Sequence, residues 1–405
     1  VSTQPAPGTT QPAPGVTQPA TGTPQPAPRT TQPATGTTQP VRRLRTRPKA
    51  DRRYAAPPEG EPPRTRLAYG TVIAALLLAL AAAGIAALAW GSVKIPPADV
   101  FRILTGQAED PSPYRTIVLD VRLPRVLLGA AVGAGLAVVG TTLQALVRNP
   151  LADPFLLGIS SGASAAAVSV IVLGVGAGLA TTVTIPAASF VGAFLALLLV
   201  YTLAREPGGG FTTSRLLLAG VAVSYVLAAL TSLILVVSAR ADHLKEVLYW
   251  TLGGLGSARW DTLALPLIVL AIGTGVLLAL ARPLDLLLVG EEGATVLGLN
   301  TARFRAGVFA LASLVTGVLV AQSGAIGFVG LMVPHAARML VGAAHRTLLP
   351  VAALTGAVFL VLADLAARTV AAPQDIPVGV LTALTGGPFF LWLLRRDRSR
   401  QEEAA

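Results

Sequence analysis

Three arginines, one Asn-Pro break and a pair of glutamates are the groups in this 405-residue chain whose types and spacing could do chemistry. Arg122 and Arg125 stand in RLPR and Arg368 in LADLAAR, each at the end of an apolar run. Guanidiniums so placed either snorkel to headgroups or offer a planar fork to carboxylates on an external protein. Spacing alone leaves both open. Asn149 and Leu151 lie in RNPLADP, where polar residues interrupt two apolar runs. An ordinary spanning helix needs only about 20 apolar residues between polar flanks. Backbone that is not helical at membrane depth survives only where protein buries it or water reaches it. The break therefore points to a pathway, although terminus chemistry also accounts for it, with Asn149 capping one helix and Pro150 starting one.

Other chemistries are excluded by what the sequence lacks. There is no cysteine, hence no disulfide, thiolate metal site or Cys nucleophile. His243, His335 and His345 never pair at ligand spacing, and His335, just after Pro334, reads as a hydrogen-bonded structural residue. No HExxH, paired carboxylates or Ser/His/Asp set falls at membrane depth, which argues against an intramembrane enzyme. Lys49, Lys94 and Lys245 are the only lysines, and none follows the glycine loop that cradles phosphates. The expectation is no cofactor and no metal on this chain, with any ATP and Mg held by a partner. Asp261 and Asp364 lie at or near the ends of apolar runs, so no obvious proton relay is left, and an ion-driven secondary transporter stands as the lesser alternative.

The elements that must position these groups follow from composition. The chain is 53% hydrophobic and 13% charged, with mean hydropathy +0.66. Soluble domains carry about 25% charged residues, so this is a polytopic membrane protein set in a lipid bilayer. A net charge of +11 reflects basic cytoplasmic loops rather than nucleic-acid binding. Residues 1–66 are a separate region. A unit close to TQPAPGT places Gln4, Gln11, Gln18, Gln25, Gln32 and Gln39 seven apart. Such polar Pro- and Gly-rich sequence cannot bury enough surface to offset its ordering entropy and is expected to be disordered. It has no apolar core behind a basic start, so it is not read as a signal peptide. A basic run from Arg42 to Arg66 follows.

Ten apolar segments span residues 67–91, 123–147, 155–177, 183–203, 213–238, 261–281, 306–322, 326–341, 348–367 and 377–394. Basic flanks before the first and after the last (Arg395, Arg396, Arg398, Arg400) put both termini in the cytoplasm, which an even number of spans satisfies. That sidedness places Arg122, Arg125 and Arg368 outside, against the general bias. It also makes Ala281–Arg305 the longest cytoplasmic loop, which Pro283, Gly290, Gly293 and Gly298 divide into two short amphipathic helices. Gly158 and Gly162 are expected to allow close helix packing.

Eight motifs occur in order: RLPR (Arg122–Arg125), LQALVRNPLADP (Leu143–Pro154), LLGISSGA (Leu156–Ala163), TTSRLLLAGVA (Thr212–Ala222), GAIGFVGLMVPHAARMLVG (Gly324–Gly342), HRTLLP (His345–Pro350), LADLAAR (Leu362–Arg368) and DIPVGVLTALTGGPFFLWLL (Asp375–Leu394). Over residues 67–396 the chain resembles the FecCD permease family, membrane subunits of ABC importers for ferric siderophores, haem and vitamin B12. The resemblance implies an all-α membrane protein of about ten transmembrane helices, vitamin B12 permease-like. It also implies a homodimer or close heterodimer, cytoplasmic ATPase subunits below and an extracytoplasmic substrate-binding protein above. The membrane is then a bacterial cytoplasmic membrane, and ferric siderophores are the first cargo reading, with haem or cobalamin as the alternative. By the same resemblance Arg122, Arg125 and Arg368 fall at the docking positions for the external protein. Asn149, Leu151 and Thr213 fall at the cytoplasmic gate. Leu286, Gly290, Glu291, Glu292, Leu297 and Gly298, within coupling helices at 282–305, fall where the ATPase is engaged. Residues 397–405 remain as a cytoplasmic tail.

Overall fold

Runs of Ala, Leu and Val broken by Gly and Pro leave the backbone of this chain one economical solution in lipid, the helix, which satisfies its hydrogen bonds within each segment. The computed structural model describes residues 66–107, 113–174, 181–205, 213–238 and 240–402. The expected disorder of the amino-terminal tail therefore lies outside the described residues. The helices are α1 (Arg66–Ala89), α2 (Pro97–Leu104), α3 (Pro113–Thr116), α4 (Leu123–Val147), α5 (Ile159–Leu173), α6 (Thr181–Ala204), α7 (Thr213–Ser238) and α8 (Ala241–Leu252). They continue with α9 (Trp260–Ala279), α10 (Ala281–Val289), α11 (Glu291–Val296), α12 (Thr301–Ser323), α13 (Val329–Val341), α14 (His345–Thr369) and α15 (Val378–Glu402). A π-helical stretch, Ile117–Arg122, joins α3 to α4, and one 3-10 turn, Pro154–Leu157, precedes α5.

Among the described residues seven helices are long and apolar enough to cross a membrane, and three shorter apolar ones are Ile159–Leu173, Val329–Val341 and Val378–Leu393. Each coincides with one of the ten apolar segments read from sequence. The last helix runs on to Glu402, into the stretch expected to be a tail. The segments differ in surroundings. The span containing α4 is 83% buried, whereas that of α7 is 17% buried and shows Leu218, Tyr225, Val236 and Val237 on its surface. So α4 is the central post, packed by α14, α12, α13 and α9, and α7 belongs to the rim.

Small residues let the helices approach. A Cβ at Gly162 in α5 would lie 2.4 Å from the Gly192 carbonyl oxygen in α6. That is the close backbone packing expected of Gly162, and it replaces the hydrophobic drive that lipid removes. Gly158 serves differently from expectation. Its φ of +78° is the left-handed conformation that turns the 3-10 segment into α5, and a Cβ there would meet only ordinary contacts at 3.5 Å or more.

Candidate functional site

Two polar clusters stand at opposite ends of the central post. At the first, α1 ends at Ala89, and its last carbonyls need donors from outside the helix. Trp90 N–H and Ile95 N–H serve Ala86 and Ala89, both at 2.9 Å. The Leu88 carbonyl accepts from Arg122 Nη1 at 2.6 Å and the Ala87 carbonyl from Arg368 Nη2 at 3.0 Å. Arg122 Nη2 also donates to the Val93 carbonyl at 2.5 Å. Cationic side chains at a helix C-terminus further meet the negative end of its dipole. Around them Asp364 is shared: Arg368 Nε donates to its Oδ2 at 3.0 Å, and Arg125 binds both of its oxygens at 2.9–3.1 Å. Arg125 Nη1 reaches Asp375 at 2.7 Å. Three guanidiniums face two carboxylates, leaving a formal +1.

The arginines are therefore brought together, but not as three free outward groups. Arg122 and Arg368 are 4% and 6% exposed. The reason is helical: α3 and the π-helical stretch extend the second span upward, so one apolar segment runs over Tyr114–Val147 and Arg122 lies inside it, pointing sideways at α1. The sequence reading placed these residues at a helix end and missed Asp364 and Asp375 as their partners. The spacing Asp364 to Arg368, four apart on one helix, was the available signal.

At the other end α4 stops at a left-handed residue, Arg148, with φ +51° and ψ +39°. Arg148 N–H donates to the Ala145 carbonyl and Asn149 N–H to the Gln144 carbonyl at 3.2 and 3.1 Å, the paired bonds of a Schellman motif built without glycine. Asn149 Oδ1 then accepts from Leu151 N–H at 2.9 Å. Asn149 thus closes a turn, and Asp153 is the cap of the next helical segment, accepting from Phe155 N–H at 2.7 Å. That corrects the reading of Asn149 as helix cap and Pro150 as helix start, because the helical turn begins at Pro154. Burial pushes the Asp153 carboxyl up to about 6, against the backbone N–H groups of Phe155 and Leu331, which favour its charged form.

Asn149 and Leu151 share that turn, with Leu151 40% exposed. Thr213 is the first residue of α7, and its side chain lies outside the described residues. A cavity of about 320 Å³ opens beside the break, lined by Gln144, Arg148, Asn149, Leu288, Arg338 and His345 among others. Gln144 is fixed within it, donating to the Gly330 and Leu331 carbonyls at 3.2 and 3.3 Å and accepting from Arg338. Sequence reasoning missed Gln144 and Arg338, whose helices meet only in the fold. The His335 ring meets Phe389 edge-on with centroids 6.1 Å apart.

The loop after α9 forms two short helices, α10 and α11, but Pro283 and Gly293 lie within them and residues 301–305 already belong to α12. Gly290 separates them at φ +120° and Gly298 ends the second at φ +88°. Leu284 and Leu287 are buried, and Leu286 packs on the core. Leu288, Val289, Val296 and Leu297 are 47%, 72%, 87% and 63% exposed. Glu292 is exposed, whereas Glu291 pairs with Arg305 at 3.4 Å. Asp285 Oδ1 accepts from His345 N–H at 3.0 Å and meets its Nδ1 at 2.6 Å, tying α10 to the start of α14. Among the described residues no group of His, Asp and Glu could hold a metal ion.

Among the described residues the chain is helical, with seven helices long and apolar enough to cross a membrane, a break after the central one and a two-helix loop. The family model described as the FecCD transport family matches residues 77–396, and the chain belongs to that family. It is 47% identical over 285 residues to the cobalamin import system permease protein of Halobacterium salinarum, covering 70% of this chain and 75% of that protein. To the hemin transport system permease protein of Yersinia pestis it is 41% identical, covering 84% and 98%. To an Fe(3+) dicitrate transport system permease protein of Escherichia coli it is 38% identical, covering 80% and 98%. A solved inward-facing structure of a putative metal-chelate type ABC transporter superposes with a TM-score of 0.70 at 31% identity, covering 81% of this chain and all of that one.

Proposed function

We propose that this chain forms the translocation path of a binding-protein-dependent ABC importer and moves an intact metal chelate. The observation that carries the reading is the loop formed by α10 and α11. It carries Leu288, Val289, Val296 and Leu297 on its surface next to Glu291 and Glu292. These side chains sit outside the apolar spans, and exposed apolar patches of this kind mark interaction sites. An ATPase subunit that binds ATP and Mg covers this loop, with Leu286, Gly290 and Gly298 shaping it. Ten helices cross a bacterial cytoplasmic membrane with both termini inside, and a second copy or close relative completes the path. Asn149, Leu151 and Thr213 gate it on the cytoplasmic side. At the outer face the residual positive charge of the Arg122, Arg125 and Arg368 cluster attracts carboxylates of an external binding protein, with Arg125 the contact group.

Ferric siderophores are the first cargo reading. The 47% identity to a cobalamin permease favours a corrinoid as the second. Reconstitution with the cognate ATPase and binding protein tests both: ATP-driven uptake of a labelled ferric siderophore, or of labelled cobalamin, is expected in proteoliposomes. Glu291→Lys with Glu292→Lys should uncouple hydrolysis from uptake, and Val289→Asp with Val296→Asp should weaken ATPase association at least about tenfold, as charge does when placed in an apolar contact. Full uptake in both double variants would remove this loop from the coupling role.

A further inference from the structure

A single buried side chain connects the coupling loop to the break in the central post. Leu146 lies in the last turn of α4, and its carbonyl would ordinarily receive the N–H four residues on. That residue is Pro150, which has none. The Schellman bonds at Arg148 and Asn149 serve Ala145 and Gln144 and leave the Leu146 carbonyl out. A buried carbonyl without a donor is costly. Arg305, in the first turns of α12 and 7% exposed, fills the need from 159 residues away, with Nε and Nη2 donating to that oxygen at 3.2 and 2.8 Å. Its remaining face holds the Glu291 carboxylate, Nη1 lying 3.4 and 3.5 Å from the two oxygens. Leu146, Arg148, Leu287, Glu291 and Arg305 close around a gap too small for a water molecule, so the linkage is direct.

We infer that Arg305 is a positioning residue, a strut that transmits movement of the Glu291 turn to the Arg148–Asp153 segment. The inference rests on the coupling and gate roles proposed above for their transport meaning, while the mechanical link stands on the contacts alone. Its geometry suits transmission. One rigid guanidinium plane bonds a carboxylate on the coupling turn and a carbonyl at the break, so displacing the first either drags or releases the second. The carboxylate end is the weaker, half-exposed one, with Glu291 51% exposed, and is the end a partner could pull.

Two measurements test the strut. In the full chain in nanodiscs, hydrogen exchange is followed at the amides of Arg148, Asn149, Leu151, Ala152 and Asp153. Glu291→Gln, a change outside that segment, should speed exchange there about threefold or more, and Arg305→Gln about tenfold. Arg305→Lys, which keeps the charge and one donor direction, should fall between wild type and Arg305→Gln. In proteoliposomes with the cognate ATPase and binding protein, Arg305→Gln should keep ATP hydrolysis per assembled complex within about twofold while uptake per ATP falls about tenfold. A merely structural role would instead lower both in proportion to the complex assembled. Unchanged exchange at 148–153 in Glu291→Gln, or an unchanged uptake-to-hydrolysis ratio in Arg305→Gln, overturns the strut. If the wild-type chain moves no chelate, the transport reading fails on its own, and exchange alone decides the link.

Discussion

The two ends of the central post use the same side chain to opposite effect. At the end proposed above to face outward, arginines are gathered: Arg125 and Arg368 share Asp364, and Arg122 and Arg368 donate to carbonyls of α1. At the opposite end, proposed above to face the cytoplasm as the inner end, they are dispersed: Arg148 lies beside the break, Arg338 holds Gln144, and Arg305 bridges Leu146 and Glu291. The carboxylates that arginine or histidine holds most closely differ as well, apart from Asp375, which is 41% exposed. Asp364 is 3% exposed, whereas Asp285 and Glu291 are 38% and 51% exposed. A buried shared carboxylate cannot release one arginine without stranding a charge, so the outer end is built to hold its shape. Half-exposed carboxylates exchange partners with water at little cost, so the inner end is built to change. The cavity of about 320 Å³ lies at the inner end beside the break.

The largest expected effect breaks the comparison at its strong side. Asp364→Asn leaves Arg125 and Arg368 without their shared charge, and removing one partner from a buried ion pair costs about 3–5 kcal/mol. Asp285→Asn at the inner end should cost less, about 0.5–1.5 kcal/mol, the net scale of one hydrogen bond, because the Asn oxygen can still accept from the buried His345. Thermal unfolding of the two variants in the same detergent measures the difference, and equal losses would erase the distinction between a held end and a yielding one.

A second change sharpens the outer end. Asp375 is 41% exposed and occupies Arg125 Nη1, so it competes with any external carboxylate. Asp375→Asn should tighten binding of the cognate external protein by about three- to tenfold, the reach of a single partly exposed charge contact. Binding to chain held in nanodiscs gives the answer. Unchanged or weaker binding would assign Arg122 and Arg368 to capping α1 and Arg125 to its internal ion pairs alone.

The smallest effect concerns the break itself. Arg148 holds a left-handed conformation that costs a non-glycine residue roughly 1–2 kcal/mol. Arg148→Gly should therefore raise stability by about 1 kcal/mol, provided the guanidinium contributes no comparable contact. A loss of stability in that variant would show that its side chain, lying 3.9 Å from the Cβ position of Gly290, holds the coupling turn down.

Much of the candidate site was legible in the sequence where its cause is local. The break at Arg148-Asn149-Pro150, the two helices set apart by Gly290, and the close approach at Gly162 each follow from a few neighbouring residues. The misreadings arose where the cause is distant. Arg122 looked terminal because the polar wording of Asp120 and Arg122 hides a helix that continues upward through a π-helical stretch. Asn149 looked like a helix cap because Asx turns and caps draw on the same residue types.

Sequence by itself determined that this chain is helical, that it is built of ten apolar segments, and where the chain breaks after the second of them. Helix formation in lipid is decided segment by segment, through bonds between residues four apart. The tertiary structure alone decided what each guanidinium does. Arg125 meets Asp375 across 250 residues and Arg305 meets the Leu146 carbonyl across 159. Which helix end comes within reach of an arginine depends on how helices cross, and the small residues that permit those crossings do not name their partners.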